Sequence, residues 1–437
     1  MISPSLQGDL KGGAASALLT VPLSIGFGAF AFGPLGDRFT AAAILAGLYG
    51  AIIVPIIAVV LRSNSAVVLA PRSMTSYLIS GVIMHLLAVE TARALSDPVQ
   101  VLAIVFLIML VASVFQSLFG VLRLGNAVKY IPHPVMAGFQ NGAALLLLLA
   151  QIRPMLGLSR PVEMSQLVDN IYLIQPATLI IGIVSCGLMM KGGMLTKRIP
   201  TVIIGLFGGI GLYYLFLAVG LGGDVGPIVG EIGFQLPSLV YAEGIYDALH
   251  DPALFKLAPL ILAWSASLAL MSSLDALLCR KVMEGITRQS GDSNYDLIRL
   301  GFGNAVAALF GSIACAVSLT SSQANYNAGG RTRYSVLASS VLILVAAYFL
   351  TDLIALLPKV VIAGLLAVTA IRLFDPWTLQ MLRQIAKSDP ARRRNLTGDL
   401  AIIGVVTGFA VFADLVVAVG IGIVIAIGSF LVRMSRG

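Results

Sequence analysis

The side chains with most chemistry in this chain stand inside runs that are otherwise fit for hydrocarbon. Arg72 lies in VVLAPRSMTSYLIS (67–80), and Asp275 lies in SLALMSSLDALLCRKV (267–282). A charge at the centre of a bilayer costs about 2.5 to 3.5 kcal/mol on insertion scales, so each needs a partner: the other charge, a ligand, or water in a cavity. A guanidinium offers an anion a two-pronged fork. A carboxylate can take up a proton or give oxygen to a hard cation such as sodium. The alternative is an internal Arg72–Asp275 ion pair without any ligand.

A third polar run, CAVSLTSSQANYNAGGRTRY (315–334), carries Ser318, Thr320, Ser321 and Ser322. Backbone groups freed by such a break cannot be satisfied by lipid, so it must line a protected cavity. Its hydroxyls, with the open N–H groups of a helix start, can donate to an anion. Serines in membrane helices also pack and bond back to their own backbone. The expected anion site is therefore Arg72, Ser73 and Ala70 on one break and Ser318, Thr320 and Ser321 on the other.

Other chemistries lack their residues. Cys186, Cys279 and Cys315 show no CxxC spacing, and His85, His133 and His250 are scattered, which gives no basis for a disulfide framework or a metal cluster. There is no HExxH and no serine–histidine pairing within the apolar runs, so no enzyme is expected. No cofactor is expected either, beyond sodium or a proton as coupling ion at Asp275.

The elements that hold these residues follow from composition. Of 437 residues 58% are hydrophobic and 11% charged, against roughly 25% charged in soluble domains. This is an all-α polytopic membrane protein. With about 20 residues per span, the apolar runs predict 14 transmembrane segments: 12–33, 40–61, 66–88, 100–121, 131–151, 173–190 and 200–220, then 257–282, 296–312, 314–328, 335–351, 354–371, 397–413 and 415–432. The two polar breaks fall at the third and tenth. The first run is too long, and lacks the cleavage site, for a signal peptide.

The net charge of +8 reports orientation here rather than nucleic acid. With the N-terminus inside, inner loops receive residues such as Arg62, Lys129, Lys197, Arg198, Arg280, Lys281, Arg331, Arg333, Lys387, Arg433 and Arg436. The longest outer loop, Leu221 to Pro252, carries Asp224, Glu231, Glu243, Asp247 and Asp251. That asymmetry follows the positive-inside rule and places both termini in the cytoplasm. Glu284, Arg280 and Lys281 read as interfacial charge.

Seven spans per half would insert two related halves with opposite topology. Pro132 to Gly138 and Pro358 to Gly364 share P-x-x-V-x-A-G at the fifth and twelfth spans. Together with polar breaks at the third and tenth, this predicts a 7+7 inverted repeat, residues 1–220 and 221–437.

The stretches GDLKGGAASALLTVPLSIGFGAF, KYIPHPVMAGFQNG, LDALLCRKVMEGITRQSGDSN, NAGGRTR and DLVVAVGIGI resemble the sulfate permease (SulP) family of inorganic anion transporters, over nearly the whole chain. The resemblance implies a moving core domain (12–121 and 257–351) and a gate domain (131–220 and 354–432), with the anion between the starts of the third and tenth helices. It is nearest to the sodium-dependent bicarbonate transporters, whose aspartate-bearing eighth helix Leu274 to Leu278 matches. That likeness implies a coupling-ion position at Asp275, Cys279 and Val317. Two oxygen ligands of that subgroup are replaced, by Leu319 and Cys279, which weakens sodium coupling. Many family members have arginine where Ser321 stands, and the subgroup has threonine where Arg72 stands, so the positive charge has moved between facing helix starts.

The expected function is secondary active transport of a small inorganic anion, bicarbonate or sulfate-like, by alternating access in the bacterial inner membrane. The competing readings are an uncoupled anion channel or exchanger, and a nucleobase or small-carboxylate carrier of similar architecture. The bilayer and the anion are the expected partners, and a homodimer is possible. The chain stops at Gly437, so the family's cytosolic regulatory domain is expected to be absent.

Overall fold

The computed structural model describes residues 4–61, 66–88, 98–125, 133–158, 174–194, 196, 199–220, 225–233, 237, 239–250, 252–288, 291–385 and 390–412. The expected span 415–432 lies outside them, as do Arg62, Lys129, Pro132, Lys197, Arg198, Asp224, Asp251, Lys387, Arg433 and Arg436.

The protein is mostly helical. In chain order it forms α1 (Pro4–Ala31), α2 (Thr40–Val60), β1 (Leu69–Pro71), α3 (Ser73–Ala88), α4 (Pro98–Val121), α5 (His133–Met155), α6 (Pro176–Lys191) and α7 (Thr201–Ala218). It continues with α8 (Val240–His250), α9 (Pro252–Thr287), α10 (Ser293–Leu309), β2 (Cys315–Val317), α11 (Leu319–Asn327) and α12 (Arg333–Phe349). The last described elements are α13 (Thr351–Ala355), α14 (Lys359–Leu373), α15 (Pro376–Ile385) and α16 (Pro390–Phe412).

Among the described residues, 7 helices are long and apolar enough to cross a membrane, or up to 8 when α14 and α15, bent by 54° at their junction, count as one. The third and tenth expected spans are not continuous helices. Each is a three-residue strand followed by a short helix. At 1.5 Å per residue the 9 residues of α11 reach about 14 Å, half a bilayer core. By contrast the 36 residues of α9 reach about 54 Å, well past both faces of such a core.

Contacts divide the chain into two compact units, 1–126 with 154–365, and 127–153 with 366–437. In the first, α1 packs on α2, α11 and α12, and α4 packs on α9 and α10. Small residues allow the closest crossings: a Cβ on Gly28 would collide with the Ala43 carbonyl oxygen, and one on Gly47 with that of Ser24. Such contacts drive helix association where lipid removes the hydrophobic incentive. In the second unit, Asp375 caps α15 by accepting from Thr378 N at 2.7 Å. Asn141 of α5 holds that break, accepting from Asp375 N at 2.8 Å and donating to Thr378 Oγ1 at 3.1 Å. Val135, Ala137 and Gly138 of the repeated motif fall at the start of α5, and Val361, Ala363 and Gly364 at the start of α14, directly after Pro358.

Candidate functional site

The two breaks meet. β1 and β2 form an antiparallel ribbon in the register Leu69↔Val317, Ala70↔Ala316 and Pro71↔Cys315. Ser318 N donates to Val68 O at 2.9 Å, so by the antiparallel alternation Ala70 and Ala316 form a hydrogen-bonded pair, while Leu69–Val317 and Pro71–Cys315 do not. Pro71 therefore costs the ladder nothing by lacking an N–H. The ribbon is about 7 Å between its outer pairs, and α3 departs from one end while α11 departs from the other. Their amino-terminal ends, each with amides that no preceding turn can satisfy, flank one small volume.

Arg72 is the residue before α3. Thr75 secures its backbone: the Thr75 hydroxyl donates to Arg72 O at 3.0 Å and accepts from Arg72 N at 3.4 Å, so the third residue of the helix reaches back to the residue before it, one half of a capping box. From that anchor the side chain reaches α9. Arg72 Nε donates to Asp275 Oδ2 at 3.0 Å and Nη2 donates to Asp275 Oδ1 at 3.1 Å, with 13% of each side chain exposed. Nη1 takes no part in that fork. Cys279, one turn on from Asp275, stands beside both: Nη2 donates to its Sγ at 3.4 Å, and Sγ lies 3.8 Å from Asp275 Oδ1. The ion pair foreseen as the alternative to a ligand is thus formed in this state, and the guanidinium charge is cancelled locally.

The hydroxyls of the second break divide. Ser318 stands at the N-cap of α11 with its hydroxyl accepting from none of the helix's backbone amides; its Oγ donates to Ser321 Oγ at 3.0 Å, and Thr20 Oγ1 of α1 donates to the same atom at 2.8 Å. Ser322 accepts from Val68 N at 2.9 Å. These three are buried, and their bonds tie α11 to α1 and to the approach of β1. Thr320 alone of the set is exposed. Ala70 and Ser73 are buried beside Arg72. Val317, also buried, faces Leu69 and lines a cavity with Val67, Leu69, Ala276 and Leu277, whose lining also includes the charged Arg280, Asp296 and Arg299. The interfacial charges pair: Arg280 with Glu284 at 3.7 Å and Asp296 at 3.4 Å, and Lys281 with Glu284 at 2.8 Å.

Several supporting residues were not foreseen. Asn304 of α10 binds the edge of β2 that faces away from β1, its Oδ1 accepting from Cys315 N at 2.9 Å and its Nδ2 donating to Cys315 O at 3.0 Å. The same Nδ2 donates to Gln116 Oε1 of α4 at 3.0 Å, and Gln116 Nε2 donates to Ser272 Oγ at 3.0 Å and Ser273 Oγ at 3.3 Å. Asn325 Nδ2 donates to Ala66 O at 2.7 Å and Ser335 Oγ at 2.8 Å. Asp9, buried in α1, accepts from Arg331 N at 2.8 Å and Thr332 N at 3.1 Å, and from the Thr332 hydroxyl. For Asn304 and Gln116 the available signal was an amide within an apolar run, which must find a partner when buried; Asp9 and Asn325 stand in polar stretches, where they carry no such signal.

The sequence profile of the sulfate permease family matches residues 6–391. The bicarbonate transporter BicA of Picosynechococcus sp. is 29% identical over 99% of this chain and 71% of its own. The putative sulfate transporter YvdB of Bacillus subtilis is 28% identical over 74% of this chain and 59% of its own. Among solved structures, the transmembrane domain of a cyanobacterial BicA superposes with a TM-score of 0.77 at 27% identity, covering 96% of this chain and 98% of that one. Murine Slc26a9, an anion transporter solved in the inward-facing state, gives 0.77 at 20% identity, covering 99% of this chain and 69% of its own, and supports the fold.

Proposed function

Because this chain belongs to the sulfate permease family, we propose that it is a secondary active transporter of a small inorganic anion, of the bicarbonate or sulfate type. The reading includes 14 spans in a 7+7 inverted repeat, core and gate domains as bounded above, alternating access, and a bacterial cell membrane with both termini inside. The observation that carries it is the Arg72–Asp275 fork at the meeting point of two broken helices.

An anion reaching this point meets a guanidinium and the open amides of α3 and α11, from Ser73 and from Leu319 to Ser321. It also meets a carboxylate that already holds the guanidinium. Removing one partner of a buried pair leaves the other uncompensated, at a cost of about 3 kcal/mol or more. The anion replaces Asp275 as partner to Arg72, and a cation at Asp275 then restores neutrality. Anion and coupling ion thereby favour each other's binding. Both Asp275 oxygens are engaged by the fork, and the neighbouring side chain is the Cys279 thiol. A sodium ion prefers hard oxygen ligands, so this set favours a proton as the coupling ion.

The test is uptake of radiolabelled bicarbonate and sulfate into proteoliposomes with imposed pH and sodium gradients. Uptake driven by an inward proton gradient and abolished by Arg72→Gln supports the reading. Uptake unchanged by that substitution removes Arg72 from the site, and uptake indifferent to either gradient points to an uncoupled channel or exchanger.

A further inference from the structure

We propose that Asn304 and Gln116 are positioning residues that set the placement of β2, and with it the start of α11, against Asp275; this rests on the transport reading above. The backbone N–H and C=O of Cys315 point away from β1, and a ribbon with only two strands has nothing further to pair with them. The Asn304 amide supplies both missing bonds and so serves as a one-residue third strand. Its orientation is dictated, because Cys315 N–H must meet the oxygen.

The remaining hydrogen on Asn304 Nδ2 goes to Gln116, whose own two hydrogens go to Ser272 and Ser273. Asn304, Gln116, Ser272 and Ser273 are each at most 4% exposed. Ser272 and Ser273 precede Asp275 by less than one helical turn. A single hydrogen-bonded chain therefore links the strand that launches α11 to the turn that carries the carboxylate, passing through α10 and α4. Sites of this kind tolerate displacements of only about 0.5 Å, and misplacement by about 1 Å can cost up to 100-fold.

Asn304→Asp keeps an acceptor for Cys315 N–H and withdraws both donors, while Gln116→Leu cuts the tie to α9. In proteoliposomes supplied with radiolabelled bicarbonate, or sulfate where bicarbonate is not carried, each variant raises KM about tenfold, and Vmax per folded transporter stays within about twofold of wild type. Ser265→Ala serves as the structural control. It deletes a buried bond from α9 to Ile108 O of 3.0 Å, and it lowers Tm without moving KM. If Asn304→Asp does not reach the membrane, Gln116→Leu and Gln116→Glu decide the matter. An unmoved KM in the folded variants, with Arg72→Gln inactive, overturns the positioning role alone. Full uptake in Arg72→Gln overturns the site itself and this proposal with it.

Discussion

At the scale of single residues, the ion pair invites an experiment that separates holding the fold from holding an anion. Arg72→Gln leaves Asp275 buried without its partner and should cost about 3 kcal/mol of stability. The exchange Arg72→Asp with Asp275→Arg rebuilds the pair with its ends reversed. It should recover most of the lost melting temperature and still show no uptake, because the positive charge no longer sits against the start of α3. If the exchanged protein transports at the wild-type rate, the anion does not use Arg72 as its partner. Asp275→Asn should keep anion exchange in counterflow assays and lose accumulation driven by a pH gradient; persistent accumulation would place coupling elsewhere. Arg72 and Asp275 were legible from sequence because a charge in an apolar run announces a partner, whereas Cys279 was singled out only through the family resemblance. Asn304 and Gln116 were not. An amide tells the reader that it bonds, but not that its partner is a strand edge or a serine pair on another helix.

At the scale of elements, strands of three residues are too short to show the alternation by which strands are recognised, so the sequence set the two breaks facing each other around one anion site but did not show the strand register that joins them. The partners lie about 250 positions apart, and the Ala66–Asn325 and Val68–Ser322 bonds that flank the ribbon span similar gaps. Long helices were easier, since apolar length alone delimits them. The clasp on Asp9 belongs to this scale as well. It holds the loop between α11 and α12 against α1, where Gly329 takes a φ of 109° that other residues rarely adopt. Asp9→Ala strands the amides of Arg331 and Thr332 together, and should cost about 1–3 kcal/mol. Its check is the thermal midpoint in detergent, and an unshifted midpoint would mean that water replaces the carboxylate without penalty.

At the scale of the whole molecule, orientation is the property with the most direct readout. Tyr246 on α8 is 63% exposed and Tyr334 at the start of α12 is 52% exposed, and the topology proposed above puts them on opposite sides of the membrane. In a background without native cysteines, Tyr246→Cys should react with an impermeant thiol reagent added outside intact cells, and Tyr334→Cys only after permeabilisation. Equal labelling of both from outside would break the proposed topology. The ribbon bears on motion too. Since Leu69–Pro71 and Cys315–Val317 are zipped together, the two helix starts are welded into a single cradle. Under the transport reading proposed above, cargo lodged there would be ferried with its seat and not handed from one half to the other. A disulfide stitched between Leu69→Cys and Val317→Cys, a facing pair whose Cα atoms stand about 4.5 Å apart, should leave turnover intact. An oxidised protein that stalls would mean the seam opens on every cycle.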